Sequence, residues 1–422
     1  MIQTLSLSPG VTLRCCPDDR FKKNALSIQL LRPMCREEAA MNALLTPVLL
    51  RGTKTCPDLR GITHRLDDLY GGYVAAQARR VGDVQTVGLY MELLDDRFAM
   101  EGDSVLAAGA DFLRELLLDP LTVHGGFSPE FVEGEKKNLI SAIDARRNDK
   151  RTYAAETMMQ YMCQGDSFAV SRLGQKEDVA AVTPQGLYDH YRTILQTSRV
   201  EIFYVGSAPM ERVAELVKPL ARALASRAEG SIRQTPFAPA VPPREFSREM
   251  EVNQGKLSMG FTTGVTNTHE DFAAMQVFNV IFGGGMTSKL FMNVREKLSL
   301  CYYASSGYFG SKGIMTVSSG IDTAQYQSAK EEILHQLALC AGGEISQQEL
   351  DMAKQYMLSS LRSIPDSPGA LESYYTTAAI SGMPYDLPEY ARAVEQVRLA
   401  DVVRCASGVK LHTVFFLKGV SG

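Results

Sequence analysis

Hydrophobic and polar positions fall into blocks of two kinds along the chain, and the blocks recur twice in the same order. β-branched, aliphatic and aromatic stretches predict strands at 25–31 and 257–261. Helical periodicity follows each, at 37–50 and 58–69 in the first series and at 269–282 and 287–297 in the second. Paired strands come next, 73–80 with 84–92 and 302–309 with 313–320. Gly82 and Asp83, and Ser311, Lys312 and Gly313, supply the intervening turns. Longer helices at 132–143 and 350–361 precede closing strands that end at Gly206 and Gly419. Strands grouped together with helices layered on one face describe an α+β sandwich.

The two series match in more than pattern. Phe127, Ser128, Pro129, Glu130 and Phe131 lead into one long helix as Ile345, Ser346, Gln347, Gln348 and Glu349 lead into the other. Likewise the segment from Leu69 to Ala75 lies against the segment from Leu298 to Ala304, and both closing strands share a Phe-containing end before glycine. Paired segments in one order are the mark of duplication. Pro236, Pro239, Pro242 and Pro243 interrupt the periodicity between the halves and favour extended chain. The expected organisation is therefore a half at 1–226, a linker at 227–246 and a homologous half at 247–422.

With 422 residues, 45% of them hydrophobic, the chain can bury sizeable cores. A net charge of -4 and no long basic run give no footprint for nucleic acid. No apolar run approaches the roughly 18 residues of a membrane helix, and the first residues show no secretory signal pattern. The eight cysteines are scattered without any C-x-x-C, which fits reduced, buried thiols. A cytoplasmic protein that binds neither nucleic acid nor membrane is expected.

Catalytic motifs are missing. The six histidines never fall within five residues of one another, so neither H-E-x-x-H nor H-x-x-E-H can be written. His64 with Asp67 and Asp68, and Glu332 with His335, could place two ligands on a helical face, yet each lacks a second histidine. Gly283, Gly284 and Gly285 before Lys289 follow a helix instead of a strand and do not form a phosphate loop. They predict a helix stop, with Thr287 or Ser288 capping the next helix.

Several short strings together resemble the pitrilysin/insulinase superfamily, which includes the mitochondrial processing peptidases. Leu49, Leu50, Arg51, Gly52 and Thr53 resemble the string that follows the family's inverted zinc motif. Phe282 through Gly285, Ser288 to Phe291, Val294 to Lys297, and Leu300, Cys301 and Tyr302 resemble its C-terminal half. The resemblance implies two tandem homologous α/β-sandwich halves of the LuxS/processing-peptidase-like metalloenzyme type. It also fixes a register. The first histidine position falls on Ala43, the base glutamate on Thr46, the second histidine on Pro47 and the third ligand on Ala142. A methyl group and a proline nitrogen cannot hold zinc, and a threonine hydroxyl is no general base near neutral pH. No resident metal or other cofactor and no catalytic residue are expected. A proline inside a helix costs about 3 kcal/mol, so the helix is predicted to restart with Thr46 as cap and Pro47 at its first position. Glu135, a supporting acid in the family, is expected to be a solvated helix residue.

What the resemblance leaves is holding chemistry. Arg295 and Tyr302 have the spacing of a pair that contacts substrate backbone or carboxylate in active relatives, and Gly283, Gly284 and Gly285 match a loop able to contact peptide. Arg295 as a surface ion pair and Tyr302 as a strand aromatic fit the residues equally well. The implied function is a non-catalytic subunit that gives peptide-holding wall and dimer surface to an active zinc-peptidase paralogue, or to a homodimer, acting on a peptide or protein substrate. Among short bacterial forms the chain looks most like the type associated with 5-aminopentanol modification of elongation factor P. An active zinc metalloendopeptidase with atypical ligands and a structural core-type scaffold subunit are the alternatives.

Overall fold

Every position from Asn24 to Arg32 in the strand Lys23–Pro33 is buried, which requires cover on both faces of its sheet. The computed structural model, describing residues 2–224, 232–239, 242–383 and 386–419, shows where that cover comes from. The chain forms two compact units, neither continuous in sequence. One holds Met1–Ile143, Val170–Arg233 and Ile364–Ile380, and the other Asp144–Ala169, Gln234–Ser363 and Ser381–Gly422.

The first unit's sheet runs Gln3–Ser8, Val11–Pro17, Arg199–Gly206, Lys23–Pro33, Val84–Leu94, Tyr73–Val81. The second unit's runs Arg244–Met250, Lys410–Gly419, Gly255–Thr262, Ile314–Ile321, Tyr303–Phe309. Setting aside the extra edge strand Gln3–Ser8, the two orders are the same, with one parallel pair at the same place in each. Even the turn before the hairpin repeats. Tyr70 and Ser299 take left-handed φ values of 60° and 51°. The Gly72 N–H then reaches the Leu66 carbonyl at 2.9 Å, as the Leu300 N–H reaches Val294 at 3.0 Å, each closing a helix end. The α+β architecture in two homologous halves is thus present in connectivity as well as composition.

In the first unit Leu26, Ile28 and Leu30 pack with Leu44, Leu45 and Val48 of the helix Arg36–Leu49 and with Phe112 and Leu116 of Val105–Leu118. Alternate side chains point the other way. There Ser27 donates to Glu372 at 2.8 Å, Arg79 forks onto both Glu372 oxygens at 2.7 and 2.9 Å, and Phe203 stacks on Tyr375. In the second unit the helix Lys150–Met162 crosses Gly255–Thr262 so closely that a Cβ on Gly260 would lie 2.4 Å from the Met162 sulfur and 2.6 Å from that of Met158.

These packings correct the expected division at 226 and 247, because residues 144–169 belong with the second unit and 364–380 with the first. A sheet buried on both faces recruits whichever segment fits its far side. The expected linker is corrected too, although residues 225–231 and 240–241 lie outside the described chain. Phe237 is buried, its N–H bonded to the Lys312 carbonyl at 2.9 Å, and Arg244–Met250 is already strand. Prolines removed the donors but left an aromatic anchor.

Glu372 is 1% exposed, and truncating it strips two cross-chain partners from a buried site. Glu372→Ala should lower the stability of the first unit by about 3 kcal/mol in urea unfolding, and Glu372→Gln by less because it can still accept from Ser27. An unchanged transition would contradict this role.

Candidate functional site

The residues at the family's metal register are built into the first unit without any capacity to hold a metal. Ala43 and Thr46 are buried on Arg36–Leu49, and the Thr46 hydroxyl has no hydrogen-bond partner. Ala142 is exposed on Pro129–Asn148. The predicted restart at Thr46 is corrected: the helix runs unbroken through Pro47. Pro47 lies in its last turn, where only the donor to Ala43 is lost, and buried Val48 and Leu49 keep that turn helical. Glu135 is corrected from solvated to paired, since Arg51 donates to its carboxylate. Zinc does not fit a methyl, an orphaned buried hydroxyl and a proline, so no metal-dependent step is derived.

The atypical pairs fare no better. His64 is exposed with Asp67 and Asp68, and accepts from Arg60 at 3.4 Å. Glu332 accepts from Gln336, away from exposed His335. Among the described residues no three His, Cys, Asp or Glu side chains gather as a metal-holding group. The eight cysteines form no disulfide among the described residues, and burial pushes the Cys15, Cys340 and Cys405 thiols up to about 12.

A polar chain steadies the degenerate helix. His190 Nε2–H donates to Asn42 Oδ1 at 2.7 Å, Asn42 donates to Gln85 at 2.9 Å, and Gln85 donates to the carbonyls of Ala39 and Arg172 at 3.3 and 2.7 Å. That directionality places a proton on Nε2. Burial pushes the His190 imidazole below its ordinary value, although Glu38 pulls the other way.

The second unit holds an open groove of about 530 Å³ between the glycine segment and the helix Gln347–Ser363. The chain leaves Phe272–Asn279 through a π-helical turn at Val280–Gly284 and resumes as π-helical Leu290–Lys297, wide turns that are frequent at functional sites. Ser288 caps the second segment, its Oγ accepting from the Phe291 N–H at 3.3 Å. The three glycines differ in what they do. A Cβ on Gly283 would lie 2.6 Å from the Ser306 nitrogen and one on Gly284 3.1 Å from the Asn279 carbonyl, whereas one on Gly285 meets nothing within 4 Å. Gly283 is required by packing, and Gly285 by neither packing nor φ.

Gly283, Gly284 and Gly285 therefore line the groove together. Arg295 does not, but its guanidinium sits 4.6 Å from the ring centroid of the lining residue Phe291, with Glu296 at 3.5 Å. Tyr302 is 57% exposed and stands outside the lining. Sequence reasoning missed Met286, Glu349, Met352, Ala353 and Tyr356. The signal for the last four was there, because 349, 352, 353 and 356 form one stripe at helical spacing with Met352 and Tyr356 on an otherwise polar face.

Two outcomes follow. Gly283→Ala should lower the thermal midpoint by several degrees, while Gly285→Ala leaves it unchanged, as read by differential scanning calorimetry. Because the folded His190 ring binds its proton more weakly than the unfolded one, the unfolded chain takes up more protons on acidification. Stability present above about 6.5 should fall as pH drops below it, and His190→Gln should flatten that part of the profile.

Comparison with known proteins bears on this geometry directly. Residues 181–357 match the family described as the peptidase M16 inactive domain. The chain is 30% identical over 413 residues to "Probable inactive metalloprotease YmfF" of Bacillus subtilis (strain 168), covering 98% of this chain and 97% of that one. A crystal structure of a conserved protein from Enterococcus faecalis V583 superposes with a TM-score of 0.92 at 27% identity over 100% of this chain and 99% of that one. The peptidase M16 inactive domain from Pseudomonas fluorescens does so with a TM-score of 0.81 at 16% identity, over 100% and 99%. Similar over nearly its whole length to a relative named a probable inactive metalloprotease, and with the two-half fold kept, the chain belongs to the peptidase M16 (pitrilysin/insulinase) family as a degenerate, non-catalytic member.

Proposed function

We propose that this chain holds peptide in the glycine groove of its second unit and works beside an active zinc-peptidase paralogue that does the cutting. The observation that carries the reading is Gly285. Its backbone is bare where neither packing nor dihedral angle asks for glycine, which suits close approach of another main chain. The flanking surface supports it: Met286 and Tyr356 are 77% and 55% exposed in the groove, and exposed apolar patches of this kind mark interaction sites. Arg295 is positioned to reach a ligand from Phe291, and Tyr302 joins only a ligand that extends beyond the groove. A homodimer is the second form the same surfaces could serve. A cytoplasmic setting rests on the composition and scattered cysteines of the sequence, and a place beside elongation factor P modification rests on the sequence resemblance alone.

Affinity purification from the native cell tests the pairing. A co-purifying paralogue that keeps H-x-x-E-H, with peptide hydrolysis by the pair and none by this chain, is the expected result. Recovery of this chain alone with one bound zinc and its own hydrolytic activity would overturn the proposal.

A further inference from the structure

The two units treat the same row of their sheets differently. In the first, strand pairing puts Phe203, Ser27 and Tyr90 side by side. In the second, it puts Phe415, Ser258 and Ser318 side by side, and the row continues to Ser305. Both rows face the helix that arrives from a distant segment, since Phe203 stacks on Tyr375 and Phe415 packs with Ala154 and Met158. Those helices are Pro368–Ser381 and Lys150–Met162, so Glu372 and Ala154 hold the same place along them. Gly369 and Arg151 match in the same way: a Cβ on Gly369 would lie 3.0 Å from the Tyr90 hydroxyl, and Arg151 reaches Ser305 beside Ser318. Glu372 answers Ser27 in the first unit. A methyl stands at its place in the second and can accept nothing from Ser258. Cations come instead. The Arg151 guanidinium donates to Ser305 at 3.0 Å and sits 4.3 Å from the Tyr303 ring centroid, with the Lys256 ammonium 5.9 Å from the same centroid. Nearby Asp149 accepts from the N–H groups of Arg151 and Thr152 and from the Thr152 hydroxyl, which commits its carboxylate to the helix start.

We propose that the serine row of the second unit, with Arg151 and Lys256, binds a phosphate group where the first unit places a carboxylate of its own. Ser258 is 1% exposed, whereas Ser318 and Ser305 are half-buried, so the row runs from the interior to an open end beside the two cations. Hydroxyls along it can donate to several oxygens of one tetrahedral group. Arg151 gives one donor of its fork to Ser305, which leaves the others for phosphate oxygens, and Lys256 adds a point charge. Burial pushes the Lys256 ammonium below its ordinary value; Asp149 pulls it up and Arg151 pushes it down again. The Tyr303 ring holds both cations near one another without neutralising either. Two positive charges against one committed acid suit a dianion better than a single carboxylate. The phosphate can be the free ion or part of a monoester. This assignment does not depend on the peptide-holding role.

Isothermal titration of the intact chain with inorganic phosphate, at constant ionic strength, should give saturable binding to a single site. Arg151→Gln and Lys256→Gln should each weaken it about tenfold by removing one charged partner. Ala154→Glu copies the first unit's arrangement into the second. Its carboxylate should take the serine row and abolish phosphate binding, with the far-ultraviolet circular dichroism of the parent chain retained. Should Ala154→Glu fail to fold, the Arg151 and Lys256 substitutions decide alone. Phenyl phosphate separates the two sources: affinity equal to that of phosphate assigns the site to a monoester, and its loss assigns the site to the free ion. No saturable binding of either compound, or phosphate binding unchanged in Arg151→Gln, overturns the proposal. Acetate bound as tightly as phosphate overturns the preference for a doubly charged group.

Discussion

The structure depends on sheets whose central strands are buried on both faces. A strand such as Lys23–Pro33 or Gly255–Thr262 needs two helical covers, and sequence-adjacent helices supply only one. The second arrives from a distant stretch: Ile364–Ile380 for the first unit, Asp144–Ala169 for the second. Each arrival is keyed. Glu372 brings a buried acid to Arg79 and Ser27, and Gly260 clears a path for two methionine sulfurs. None of these contacts involves Ala43, Thr46, Pro47 or Ala142, the positions at which the sequence resemblance puts the family's metal.

Losing a metal still removes a cross-link, since the register puts ligand positions on both Arg36–Leu49 and Pro129–Asn148. Here the same two segments are tied by the ion pair from Arg51, just past the first helix, to Glu135 on the second. The His190, Asn42 and Gln85 chain fixes the first helix from its other side. Both devices are polar and directional, and an interior left with half of one would be worse off than an apolar one. The orphaned Thr46 hydroxyl is the one place where the replacement is incomplete.

Much of this was legible in the sequence, and the failures share a cause. Strand and helix blocks, both hairpin turns, the duplication and the Ser288 cap follow from local periodicity and turn chemistry. The helical segments exchanged between units were not legible, because amphipathicity shows that a helix has a buried face without showing which sheet buries it. The unbroken helix at Pro47 was misjudged because a proline penalty weighs less in a last turn anchored by Val48 and Leu49. Arg51 with Glu135 spans 84 residues of sequence, a pairing no local pattern announces. The glycines could be singled out, but only their surroundings separate Gly283, which packs, from Gly285, which opens space.

The duplication gives the two sites a common origin in the fold. The matched segments make Gln347–Ser363 the counterpart of Pro129–Asn148, and the helix ending at Gly284 the counterpart of Arg36–Leu49. The groove therefore lies between the same pair of elements that carries the metal register in the first unit. In the first unit the pair is joined by Arg51 and Glu135, and in the second by Lys289 and Glu349, with open space beside Gly285. Cutting a peptide needs a base and a metal in fixed geometry, whereas holding one needs only exposed backbone, apolar wall and a few charges. Under the proposed function, substitutions that end the first requirement leave the second untouched, because the two fall on different copies of one helix pair.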